Sequence, residues 1–155
     1  QFHGSRTLYF ATDHSPVERP ILVLNGSGHG PVNNLVDLSL VSQHYAPRGQ
    51  HVLSLSILGP MQQAPQSELL TAVRAQMTQW FDARCQWELL EDMYLPYSLP
   101  VQRPPLLSRF SRTPLQPTAG ILVGGDHSET GSIQGAMAAG RLMAQAVLKA
   151  HAVPA

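Results

Sequence analysis

A single cysteine, Cys85, occurs in the 155 residues. An internal disulfide needs two cysteines, and so do the common thiolate zinc centres, so both are excluded. Charge is scarce too, at 13% of residues, about half the usual share of roughly 25%. Ten basic and ten acidic side chains cancel, and the nine arginines are scattered. That argues against the basic footprint of a nucleic-acid binder. No apolar run approaches the ~18–20 residues of a membrane-spanning helix, so none is expected. The opening residues show no basic segment followed by an apolar stretch and a cleavage site. No secretory leader is therefore read, and a cytoplasmic location is the expectation. The sequence begins at Gln1, and Arg6-Thr7-Leu8-Tyr9-Phe10-Ala11 already reads as a strand, as if the chain opened in the middle of a fold.

Several catalytic signatures are missing as well. There is no G-x-S-x-G, so a nucleophile elbow is not expected. The seven histidines include no His-x3-His and no His-Glu-x2-His, so no metal site is expected, although His44 and His51 flank one turn. Gly26-Ser27-Gly28-His29-Gly30 follows an apolar run and invites comparison with a dinucleotide fingerprint. Its third glycine comes one residue early, and no Asp or Glu occurs between Asp37 and Glu68 to hold a ribose. It reads as a glycine-rich loop between strands.

What is present suits one average domain with a real core: 43% of residues are hydrophobic. Residues 5–12 read as a strand. Residues 20–25 read as a second strand, apolar throughout and so expected to be buried on both faces. Gly26 to Asn34 is expected to be loop. Residues 37–43 and 51–58 alternate around the turn Tyr45-Ala46-Pro47-Arg48-Gly49, predicting an antiparallel hairpin. Apolar residues at 69, 70, 73, 77, 80 and 81 predict a helix from Ser67, as N-cap, to Phe81. Residues 86–95 return to a strand pattern. Six prolines between 96 and 118 then predict a long irregular connection.

The most specific block lies near the end. Gly120-Ile121-Leu122-Val123-Gly124-Gly125-Asp126 predicts a short buried strand that delivers an acid at its carboxyl end. Thr130 to Arg141 opens a helix, expected over 131–150, with small residues at Gly131, Gly135, Ala136, Ala139 and Gly140. Small residues permit close packing and leave the first backbone N–H groups, at the positive end of the helix dipole, open to an electron-rich ligand. A close-packed terminal helix after a turn explains the same residues. On the residues alone, both readings stay open.

This block resembles the C-terminal FAD-binding motif of the flavin-containing amine oxidase superfamily, which includes phytoene-desaturase-like enzymes. The resemblance implies that Gly125 and Asp126 meet the ribityl or adjoining part of FAD. It also implies that Ser132, Ile133, Gln134 and Ala136 form the helix start, with the N–H near Ile133 facing the flavin pyrimidine ring. Trp87 and Tyr94-Leu95-Pro96-Tyr97 resemble the strand leading out of the family's substrate domain, where Tyr94 and Tyr97 would line a substrate cavity. The family's amino-terminal Rossmann unit has no counterpart in this sequence. Neither does the lysine often placed near flavin N5, because Lys149 is the only lysine. Catalytic residues are therefore left unassigned.

The expected fold is α+β. Residues 1–113 would be the latter part of a substrate domain, an antiparallel sheet with a covering helix. Residues 114–155 would be the C-terminal strand–helix segment of a Rossmann-like FAD-binding domain. The implied function is that of the C-terminal portion of an FAD-dependent oxidoreductase, whose flavin takes hydride equivalents from an amine or an unsaturated or cyclic small molecule. Alone, the chain would be inactive and bind FAD weakly or not at all. It would need a Rossmann unit in cis or in trans, and its uncovered helix face of Ile133, Ala136, Met137 and Gly140 would favour self-association. The alternatives are a non-enzymatic binding module and a half-enzyme completed by a separate Rossmann chain.

Overall fold

The computed structural model describes residues 1–81, 87–102, 115–118 and 120–151. Cys85, most of the proline-rich connection and the expected boundary at 113/114 lie outside them. The described elements are β1 (Phe2–Thr12), β2 (Leu22–Leu24), β3 (Val32–Asp37), α1 (Leu38–Val41), β4 (His51–Ile57), α2 (Gln66–Trp80), β5 (Trp87–Pro100), β6 (Leu115–Thr118), β7 (Ile121–Val123) and α3 (Ile133–His151). They fall into two compact units, Gly4–Pro96 and a second made of Gln1–His3 with Tyr97–Ala155. The mixed α and β content and the sheet agree with the α+β expectation.

Five strands form one sheet in the order β2-β3-β4-β1-β5. The pairings β1–β4, β2–β3 and β3–β4 are antiparallel. Alternation decides which face is covered. Leu8 and Phe10 on β1, Val32 and Leu35 on β3, and Leu53, Leu55 and Ile57 on β4 are all buried. Period-two spacing puts the β1 and β4 sets on one face, and a register shift between Val32 and Asn34 brings Val32 to the same face as Leu35. Leu69, Val73 and Met77 of α2 complete that core from above. Their spacing is the helical stripe read in the sequence. The helix starts at Gln66 after Pro65, with no side-chain cap, so Ser67 is not its N-cap.

Several expectations are corrected. The strand expected over residues 37–43 ends at Asp37. The carboxylate of Asp37 accepts from the Ser39 N–H at 2.9 Å and turns the next residues into the short helix α1. The Asp37 side chain is fully buried, and its other oxygen lies 2.9 Å from His51 Nδ1, so His51 is tied to the hairpin base. β3 begins at Val32, inside the expected loop. β2 is an edge strand, and Leu22 and Leu24 are 56% and 66% exposed rather than buried on both faces. β5 runs on through Pro96 to Pro100, and β6 lies where irregular chain was expected.

The glycine-rich loop connects β2 to β3, as read. Asn25 holds it from inside: its Oδ1 accepts from the Ser27 and Gly28 N–H groups, and its Nδ2 donates to the His29 and Val32 carbonyls. Buried Gln76 of α2 accepts from the Val32 N–H at 2.7 Å and donates to the same two carbonyls. Gly30 has a φ of 81°, and a Cβ there would overlap the Gln76 carboxamide. The glycines thus serve close packing of the loop on α2.

One ion pair ties the Gly4–Pro96 unit together. Arg6 on β1 donates through Nε and Nη2 to both carboxylate oxygens of Asp92 on β5, each at 2.6 Å. Its Nη1 donates to the Ala64 carbonyl at 2.7 Å and the Gln62 carbonyl at 3.3 Å, in the segment leading into α2. Gln66 Nε2 donates to Asp92 Oδ2 at 2.9 Å. Both charged side chains are about nine-tenths covered, so their desolvation is met by paired geometry.

Removing one partner leaves a covered charge alone, which costs about 3–5 kcal/mol. Asp92→Ala is therefore expected to shift the urea unfolding midpoint strongly, read through tryptophan fluorescence. Hydrogen bonding to the Arg6 guanidinium holds the Asp92 carboxyl below its ordinary range. With a depressed folded-state value, the pair's contribution is complete above the unfolded value of about 3.9 and is lost as pH falls through the folded value. Between about pH 5 and about pH 2, wild type should lose stability more steeply than Asp92→Asn. Parallel slopes would show that the pair is not the acid-sensitive element.

Candidate functional site

The C-terminal block folds as a hairpin followed by a helix. β6 and β7 pair antiparallel, with Leu115 opposite Val123 and Thr118 opposite Ile121. Gly120, with a φ of 82°, takes the turn between them. β7 is not buried as expected: Ile121 is half exposed and only Leu122, at the centre, points to partial cover. At its end, a Cβ on Gly124 would come within 2.9 Å of Met143 Sδ of α3. The missing side chain is what lets α3 lie against the end of the strand.

Asp126 then opens a single 3-10 turn, Asp126–Ser128. Ser128 closes it. Its Oγ accepts from the Gly125 N–H at 3.2 Å and donates to the Gly125 carbonyl at 2.8 Å. The half-buried Asp126 carboxylate makes no side-chain hydrogen bond among the described residues. Before α3, the Ser132 N–H donates to the Thr130 carbonyl at 2.7 Å.

Ser132 is the N-cap of α3. Its Oγ accepts from the Gly135 N–H at 3.0 Å, and its carbonyl accepts from the Ala136 N–H at 3.0 Å. The N–H groups of Ile133 and Gln134 have no backbone partner among the described residues. No acidic residue stands in the helix's first turn. Two free donors therefore sit at the positive end of a 19-residue helix, close in sequence to a free carboxylate.

The small residues divide by role. Gly135 and Ala139 are buried, one turn apart, whereas Ala136 and Gly140 are exposed. A Cβ on Gly135 would run into the Thr130 carbonyl. Ile133 and Met137 are 78% and 71% exposed. With Ala136 and Gly140 they form an open apolar face, as read from the sequence. Tyr97 is exposed and meets the Phe2 ring edge-on at a centroid distance of 5.7 Å. The Tyr94 hydroxyl accepts from Gln63 Nε2 at 3.4 Å.

One participant escaped the sequence reading. Gln102, just beyond β5, reaches the loop ahead of α3 with both ends of its carboxamide. An isolated glutamine in a proline-rich stretch carries no motif signal.

With this geometry in view, comparison with known proteins is specific at the family level. The model of the flavin containing amine oxidoreductases matches residues 2–148. The chain belongs to that family. Among solved structures, an oxidoreductase from Methanosarcina mazei superposes with a TM-score of 0.67 over 95% of this chain at 17% identity. That likeness is one of fold, and this chain spans about a third (34%) of the archaeal one. No curated protein matches the sequence. Among the described residues, no helix is long and apolar enough to cross a membrane.

In an open helix, Gly→Ala stabilises by about 1 kcal/mol. At Gly135 the clash with Thr130 should reverse the sign, so Gly135→Ala is expected to destabilise α3 by about 1–3 kcal/mol and Gly135→Leu by more. Amide exchange along 133–151 reads this directly. Slower exchange in Gly135→Ala would show that the close approach is incidental.

Proposed function

We propose that this chain is the C-terminal portion of an FAD-dependent oxidoreductase of the amine oxidase type. It would supply the substrate-side sheet and the final strand–helix segment of the FAD site. The observation that carries this reading is the pairing of groups that have no partner among the described residues: a carboxylate at Asp126 and two N–H donors at Ile133 and Gln134. The neighbouring polar groups, at Gly125, Ser128, Ser132 and Gly135, are bonded internally.

The donor set fits FAD. A flavin is a hydroxyl donor along its ribityl chain and an acceptor at the edge of its pyrimidine ring. Bound FAD supplies the hydride acceptor for an amine or an unsaturated or cyclic small molecule. Asp126 would accept a hydroxyl hydrogen bond and hold the cofactor in place. The Ile133 and Gln134 N–H groups, with the helix dipole behind them, would stabilise negative charge at the ring edge. Gly125 gives the extended backbone that delivers Asp126, and Ser132 caps the helix so that the two donors stay aligned. Exposed Ala136 lies on the helix face that a neighbouring unit would cover. Tyr94 and Tyr97 are proposed to face substrate.

The pyrophosphate cradle would come from a dinucleotide-binding unit, in cis or in trans. Ile133, Ala136, Met137 and Gly140 form the surface on which that unit would pack, and without it the same surface favours self-association.

Two results are expected. The 155-residue chain should bind FAD weakly and lose it during gel filtration; stoichiometric retention would overturn the division of labour proposed here. When a dinucleotide-binding unit is supplied and FAD is retained, Asp126→Ala should weaken FAD binding by about 1.5–3 kcal/mol through loss of a charge-assisted hydrogen bond. Unchanged affinity in a fluorescence titration would remove Asp126 from the site.

A further inference from the structure

The loop from Asp126 to Gly131 is tied down by one distant side chain. Gln102 Nε2 donates to the Asp126 carbonyl at 3.2 Å and to the Glu129 carbonyl at 2.5 Å, and its Oε1 accepts from the Gly131 N–H at 2.9 Å. All three partners are backbone groups, 24 to 29 residues away in sequence. The contacts therefore specify the path of the loop rather than the identity of its side chains. Only a primary carboxamide offers two donors and an acceptor in one planar group.

The other polar contacts described around this loop are local. Ser128 bonds three residues back, Thr130 bonds Ser132, and Ser132 bonds Gly135. Each shapes its own turn, and none fixes one turn against the other. Gln102 joins them, because it grips the peptide of Asp126, the end of the 3-10 turn at Glu129, and Gly131 two residues before α3. The Asp126 carboxylate lies at one end of the gripped stretch and the N–H groups of Ile133 and Gln134 lie beyond the other, all without a partner among the described residues.

We infer that Gln102 is a positioning residue. It sets the spacing between the Asp126 carboxylate and the Ile133 and Gln134 donors, and so preorganises both ends of the loop for one ligand. The inference rests on the flavin reading above and adds to it a residue outside the terminal strand–helix block. A loop fixed in advance loses less freedom on binding, so the clamp acts on affinity without touching the cofactor.

The test uses the full 155-residue chain with Gln102→Leu and Gln102→Glu variants. Two quantities are read: exchange of the Gly131 amide, and shifts of the Ile133 and Gln134 amide resonances on titration with millimolar FAD. At neutral pH both variants should lose tenfold or more of the Gly131 protection and weaken the FAD response at least tenfold. Amide protection in β1, β4 and α2 should stay at wild-type levels. Below about pH 4 the introduced carboxyl of Gln102→Glu is protonated and regains one donor beside an acceptor. It should then recover Gly131 protection, whereas Gln102→Leu should not. A role limited to filling space would show no such pH dependence.

Unchanged Gly131 exchange in Gln102→Leu would overturn the clamp. Lost protection with an unaltered FAD response would overturn the positioning role and leave the clamp purely structural. Absence of any FAD response in wild type would overturn a preorganised flavin contact in this segment alone, and the positioning role with it, while the exchange data still report on the clamp.

Discussion

The Gly4–Pro96 unit depends on a charge that its own sheet encloses. Arg6 points from the middle of the chain's first strand into the region where β1, β5 and the lead into α2 converge. A guanidinium that is nine-tenths covered is tolerable only with its donors occupied. Asp92 takes two of them in a planar fork, and the carbonyls of Gln62 and Ala64 take a third. Lysine cannot reproduce that fork. The same constraint fixes register: a one-residue slip of β1 would turn Arg6 to the other face and expose Leu8 and Phe10 together.

In the C-terminal unit, backbone economy plays the corresponding role. Gly124 lets α3 approach the strand end, Gly135 lets α3 begin against the Thr130 carbonyl, and Ser132 occupies the one donor that the cap can reach. Donors left over by that arrangement, at Ile133 and Gln134, are the ones the flavin reading requires. Family membership and a site built from unspent hydrogen-bonding capacity thus point the same way.

Much of this was legible in the sequence, for identifiable reasons. β4 shows strict alternation at Leu53, Leu55 and Ile57, and α2 shows a clean stripe at Leu69, Val73 and Met77. Both patterns arise directly from one-sided burial. β3 was hidden because Asn33 and Asn34 look like loop residues, although Asn34 pairs with Ser56 on the uncovered face. The pattern over 37–43 looked like strand because the capping function of Asp37 leaves no trace in hydrophobicity. Prolines misled at β5 and β6. β5 is an edge strand, where a missing N–H can be accommodated, and β6 meets β7 through an irregular register around Pro117. Within the candidate site, Asp126 and the helix start were readable as a motif. Gln102 was not, since its role exists only once residues 24 to 29 positions apart have met.

The position of β1 in the sheet bears on how the chain is made. β1 lies between β4 and β5, and its arginine waits for an aspartate 86 residues downstream. Hairpin β3–β4 can form from its own neighbours, but β1 stays unpaired on one edge until β5 has been synthesised. Contacts of such sequence separation form slowly, because loop closure must precede their reward. Until β5 emerges, β1 therefore keeps one open edge, and Arg6 lacks the carboxylate that its donors require. A polypeptide in that state presents an unpaired strand edge, the feature that makes incompletely folded chains prone to aggregate.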